Sequence, residues 1–153
     1  MKSSRVWINV CRIAFIIYIV GLCYFLFFAE MFGYGRTHIT GDYQYNLELF
    51  REIKRFWTYR ESLGFKAVFL NLFGNVAGFI PFGLLLPILF PKFKNIVLVM
   101  ISTFTLSLCF ESFQLIFKVG CFDVDDLLLN TIGGFLGYII FRILTVRRIH
   151  GRE

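Results

Sequence analysis

Histidine is scarce in this chain, and nothing surrounds it that would let it bind a metal. The two histidines, His38 and His150, lie far apart with no ligand-like partner at short spacing, so the usual zinc patterns are missing. The four cysteines, Cys11, Cys23, Cys109 and Cys121, form no CxxC pair. Cys11, Cys23 and Cys109 fall in or at apolar runs, where a thiol behaves as a small hydrophobe, so neither a disulfide nor a metal site is expected. No nucleophile or metal-ligand set stands at a recognisable spacing, and no stretch interleaves aromatic and basic residues as a nucleic-acid surface does. The first apolar run is too long for a signal peptide and has no small-x-small cleavage site behind it. No internal inverted repeat is evident. These absences leave no expected cofactor, metal or nucleic-acid partner.

Hydrophobic material is abundant. Of 153 residues, 58% are hydrophobic and 20% aromatic, including 21 Phe, and the mean hydropathy is +0.70. A soluble domain of this size could not bury that much Phe, Leu and Ile, and the apolar residues come in long uninterrupted runs. The reading is an all-α polytopic membrane protein, a single domain over residues 1–153. Four transmembrane helices are expected, over about 6–32, 67–90, 96–117 and 126–146, each near the ~20 residues a bilayer requires. The net charge of +6 then reads as topology-setting and headgroup-contacting charge.

Between the first and second spans lies the one long polar connection. Within it, residues 46–59 place Leu47, Phe50, Ile53 and Trp57 at helical spacing, while Arg51, Lys54 and Arg55 lie largely on other faces. This predicts an amphipathic helix, either along the headgroups or packed on the bundle as a loop helix. Trp7 and Tyr34 suit the membrane interfaces at the two ends of the first span.

The second span carries Asn71 and Asn75 four apart and Gly74 and Gly78 four apart, on neighbouring strips of one face. The GxxxG spacing predicts close approach of another helix, and Pro81 predicts a kink that frees a carbonyl around Ala77. The third span has Glu111 and Gln114 near its end. The fourth opens at Asp126, with Asn130 one turn on and a second GxxxG at Gly133 and Gly137; these glycine faces would also suit an oligomer. Asp123, Asp125 or Asp126 would cap the fourth helix, but one cap suffices, so at least one acid needs another explanation.

Antiparallel alternation carries Asn71, Asn75, Glu111, Gln114, Asp126 and Asn130 to the same end of a four-helix bundle, whichever way the protein faces. Lys and Arg concentrate near the termini and the short PKFKN turn, which places both termini in the cytoplasm and the polar end in the outer leaflet. Ionisable groups at membrane depth pair, line a wet cavity or handle a ligand. Asn71, Asn75, Glu111, Gln114, Asp123, Asp126 and Asn130 are accordingly the candidate ligand-binding set, forming a pocket that opens outward.

The same residues carry a family resemblance. NLFGNVAGFIPFGLLLP, then ESFQ, then FDVDDLLLNTIGGFLG resemble the VanZ-like family of bacterial membrane proteins, over about residues 46–141. Asn46, Leu47 and Phe50 fit the family's N-L-x-P-F element, with Leu49 where proline is common. Cys121 stands where many members have arginine; any pairing that arginine gives the acids would here fall to Lys118 or Arg60, or be absent. The resemblance implies an integral plasma-membrane protein of a family named for a member linked to teicoplanin resistance. It implies no settled molecular activity.

Three functional classes fit these observations. The leading one is a non-enzymatic cell-envelope protein whose pocket engages membrane lipid headgroups, a lipid-linked wall precursor or a glycopeptide. The second is an intramembrane enzyme with Glu111 and Asp126 as an acid–base pair. The third is a small proton- or cation-coupled transporter. Against all three stands simple packing, in which the polar groups only cement the bundle.

Overall fold

The computed structural model describes residues 2–28, 43–59 and 65–150 of the chain. Four long helices dominate: α1 (Lys2–Phe28), α3 (Phe65–Leu89), α4 (Ile96–Phe117) and α5 (Val124–His150). Between α1 and α3 stand a two-residue strand β1 (Tyr45–Asn46) and a short helix α2 (Arg51–Thr58). A second two-residue strand, β2 (Phe122–Asp123), precedes α5. The four expected spans are present, with their apolar windows at Val6–Phe25, Leu72–Leu89, Ile96–Phe117 and Val124–Val146. The end of the first expected span, with Tyr34, lies outside the described residues.

The packing is that of a membrane protein. Ile13, Ile16, Ile17 and Val20 on α1 and Val97, Ile101 and Ile116 on α4 are exposed, as lipid-facing side chains are. Polar residues lie inside. On α4, Thr103, Ser107, Glu111 and Gln114 are all buried and recur at helical spacing, so the helix turns its polar stripe inward.

Glycine decides how closely α3 and α5 pack. A methyl group at Gly83 would overlap the carbonyl of Gly134; at Gly133 it would meet the carbonyl of Val76, and at Gly137 that of Ile80. The second GxxxG therefore works inside the chain, and Gly134 also leaves room for Thr103 of α4. The first GxxxG does not bring helices together as its spacing predicts. A Cβ at Gly74 would meet nothing within 4 Å, and one at Gly78 would lie 3.7 Å from Leu22 of α1. The reason is that α3 turns a different strip, the one carrying Gly83, toward α5.

The turns are set by local hydrogen bonds. Asn95 caps α4, its side chain accepting from the Val97 amide at 2.8 Å. At the other end Lys118 takes a left-handed conformation, φ 53°, and Val119 donates to the Gln114 carbonyl. Pro81 and Pro87 both lie within α3. The Tyr18 hydroxyl of α1 donates to the Gly78 carbonyl at 2.7 Å, one residue beyond the carbonyl that Pro81 deprives of its partner.

Candidate functional site

The acids after α4 meet the segment that precedes α2, 77 residues apart at Asn46 and Asp123 in a chain of 153. β1 and β2 pair in parallel, Tyr45 opposite Phe122 and Asn46 opposite Asp123, and the Phe122 amide donates to the Gln44 carbonyl at 3.1 Å. Asn46 then donates from its side chain to Asp123 Oδ1 at 3.1 Å. The same oxygen accepts the Asp125 amide at 2.9 Å, and the Asp123 amide donates to Glu111 Oε2 at 2.9 Å. Glu111, Asp123 and Asn46 are 3%, 0% and 5% exposed. Glu111 Oε2 and Asp123 Oδ1 thus accept amide hydrogens that would otherwise be stranded in a dry place.

Asp125 is 1% exposed and reaches across to α2, accepting the amide hydrogens of Phe50 and, at 3.3 Å, Ile53. It caps a helix other than its own. This moves the start of α2. The helicity expected from residue 46 begins at Arg51, because Asn46 is claimed by the strand pair and Phe50 turns left-handed, φ 66°. Beyond it, Leu47, Phe50 and Trp57 are exposed, as are Arg51, Lys54 and Arg55. The Lys118 ammonium lies over the Tyr43 ring, 4.7 Å from its centre.

Asp126 faces the other way, toward α3. Its Oδ1 accepts from the Asn75 side chain at 2.6 Å, and both residues are half-buried. Asn75 also lines a cavity of about 420 Å³ between α1 and α3. Asn130 is 2% exposed and donates to the Ser107 hydroxyl at 2.8 Å, while its Oδ1 has no partner among the described residues. Asn71 belongs to α3, but its side chain lies outside the described ones.

The structure thus gathers Glu111 and Asp123 into one buried group with Asn46 and Asp125, and pairs Asn75 with Asp126 beside it. Gln114 is buried on α4 next to this group. Sequence reasoning missed Asn46 and Ser107 as participants and Asp125 as the cap of α2. For Ser107 a signal was present, since it lies one turn before Glu111. For Asn46 the family's N-L element carried it, without a partner. Among the described residues no His, Cys, Asp and Glu cluster suited to a metal occurs.

Comparison with known proteins places these residues in context. The profile of the VanZ/LLP1 family matches residues 15–145, from within α1 almost to the end of α5. Protein VanZ of Enterococcus faecium is 42% identical over 79 residues, 48% of this chain and 45% of that protein. The alignment thus spans about half the length of that relative. No solved structure matches the chain.

Proposed function

The chain belongs to the VanZ/LLP1 family, and from that premise we propose that it is a non-enzymatic cell-envelope protein whose Asn75–Asp126 pair binds an amphiphile's head. That head would belong to a membrane lipid, a lipid-linked wall precursor or a lipid-tailed glycopeptide. The observation that carries the reading is a division of labour among the acids. Glu111, Asp123 and Asp125 are buried and hold backbone amides, whereas Asp126 is half-buried and accepts from Asn75, which itself lines the cavity between α1 and α3. The buried acids, with Gln114 and Asn130, would fix the frame; Asp126 and Asn75 would make the contact.

A carboxylate and an amide carbonyl offer acceptors to hydroxyl, amide or ammonium groups. Helix α2, with Arg51, Lys54 and Arg55 exposed around Trp57, would lie in the headgroups and hold phosphate. The Lys/Arg distribution supports a topology with the termini in the cytoplasm and this end in the outer leaflet. A contribution there to tolerance of teicoplanin-type antibiotics would be consistent with a family named for a member linked to teicoplanin resistance. An acid–base enzyme fits less well, because Glu111 is engaged on the α4 side and Asp126 on the α3 side.

The test is mass spectrometry of the purified protein for lipid or wall precursor that travels with it. The wild type should carry such a molecule, and Asp126→Asn should lose it while melting as the wild type does. Equal carriage by both proteins would sink the proposal.

A further inference from the structure

Asn130 of α5 and Ser107 of α4 meet inside two membrane-spanning stretches, Val124–Val146 and Ile96–Phe117. Asn130 is 2% exposed and Ser107 is fully buried. Asn130 Nδ2 donates to the Ser107 hydroxyl oxygen at 2.8 Å. The other polar atom of the same amide, Oδ1, is buried with no partner among the described residues. Ser107 also has a bond left to make. Its neighbour on the polar stripe, Thr103, donates its hydroxyl hydrogen to the Val99 carbonyl at 2.9 Å. The Ser107 hydroxyl accepts from Asn130 and donates to no described group. The pair therefore presents an open acceptor and an open donor.

These two open groups lie close together. Covalent geometry holds an amide oxygen about 2.3 Å from its nitrogen, so Oδ1 and the Ser107 oxygen are no more than about 5 Å apart. Two hydrogen bonds of ordinary length through one atom cover that span. Turning the Asn130 amide over does not remove the demand. Ser107 would then donate to Oδ1, and the amide hydrogens would need acceptors in the same place.

The occupant must therefore both give and take a hydrogen bond. An apolar group does neither. A metal cation would meet Oδ1 but leave the hydroxyl hydrogen without an acceptor. A water molecule donates to Oδ1 and accepts from Ser107, and buried polar groups of this kind are those that internal water satisfies. We propose that Asn130 Oδ1 and the Ser107 hydroxyl hold one water molecule in the core of the bundle. Asn130 lies one turn beyond Asp126 and Ser107 one turn before Glu111, so this water stands one layer deeper in the membrane than the acids. It bridges α4 and α5 there, whatever head Asp126 meets at the surface.

The test is X-ray footprinting of the full-length protein in nanodiscs. A brief pulse makes hydroxyl radicals from water where it stands, and they oxidise only adjacent side chains. Phe110, about one turn from Ser107, and Leu127, about one turn from Asn130, are each 6% exposed; Phe141 at 7% and Leu86 at 6% are equally buried controls away from the pair. Phe110 and Leu127 should be oxidised several-fold more than Phe141 and Leu86. Ser107→Ala combined with Asn130→Leu removes both open groups at once and strands no partner, so it should bring Phe110 and Leu127 down to the control level at a melting temperature near that of the wild type. Equal oxidation of the two sets in the wild type would overturn the proposal, whether or not the double variant folds. Undiminished oxidation of Phe110 and Leu127 in a folded double variant would do the same. So would a wild-type melting temperature that rises with sodium or potassium but not with choline, a response lost in Asn130→Leu, since the occupant would then be a metal cation.

Discussion

The Asp125 carboxylate accepts the backbone amide hydrogen of Phe50, a residue 75 positions earlier in the chain. One side chain at the start of α5 thereby sets the geometry of the extramembrane helix α2. Phe50 is left-handed there, φ 66°, a conformation that costs an L-residue roughly 1–2 kcal/mol, and the cap at Phe50 and Ile53 offsets it. The candidate site is thus built by long-range contact between an amphipathic segment and the acids.

Asp125→Ala should release the start of α2 at a cost of about 0.5–2 kcal/mol, the usual worth of a lost N-cap. Trypsin should then cut faster at Arg51, Lys54 and Arg55, which are already exposed. Asp125→Asn keeps one acceptor oxygen and should fall between. Phe50→Gly, which adopts positive φ freely, should slow cleavage in the Asp125→Ala background. Equal cleavage of all four proteins would mean that Asp125 does not hold α2.

The two classes of glycine predict opposite responses to one methyl group. Gly83→Ala would drive a Cβ into the Gly134 carbonyl and should lower the melting temperature in detergent, at a cost of about 1–3 kcal/mol for overpacking. Gly74→Ala has free space and should raise it slightly. If both variants melt alike, α3 and α5 pack less closely than described.

Much of this was legible in the residues. Hydropathy located the spans, and alternation alone brought Asn75, Glu111 and Asp126 to one end, because helix direction needs no knowledge of contacts. What escaped was pairing between distant short segments. Asn46 lies 77 residues from Asp123, and a two-residue strand leaves no periodicity to read. The start of α2 was misplaced for the same reason: apolar spacing from Leu47 looks helical until Asn46 is taken by a strand. GxxxG spacing also marked Gly74 and Gly78 as readily as Gly133 and Gly137. Spacing shows that two glycines share a face, but not whether a helix or a void lies opposite.

Orientation has a direct test. Cys11 is 5% exposed and reports poorly, so the useful positions are the exposed Thr58 at the end of α2 and Lys92 in the turn before α4. In a background with the native cysteines replaced, Thr58→Cys should react with a membrane-impermeant maleimide on intact cells. Lys92→Cys should react only once the cells are opened. The reverse order would put the polar end at the cytoplasmic face and end the outer-leaflet reading.

Glu111 and Asp126 separate frame from contact. Glu111 is 3% exposed and accepts the Asp123 amide, so Glu111→Gln, which keeps an acceptor oxygen at the same reach, should hold β2 in place. Glu111→Ala removes that acceptor and strands a buried amide, at about 1–3 kcal/mol, and should lower the amount of folded protein in the membrane. Asp126→Asn keeps an acceptor for Asn75 and loses only charge, so its abundance should stay normal. If the half-buried pair is the contact, Asp126→Asn should lose the envelope phenotype at normal abundance, measured as susceptibility to a lipid-tailed glycopeptide. Glu111→Gln should retain most of it. The opposite pattern, with Glu111→Gln silent in abundance but lost in phenotype, would move the working carboxylate to the buried group. Were both neutral variants to behave as wild type in abundance and susceptibility, charge at this end of the bundle would serve packing alone. A carboxylate whose only task is to hold an amide is replaceable by its amide; one that meets a hydroxyl or ammonium head is not.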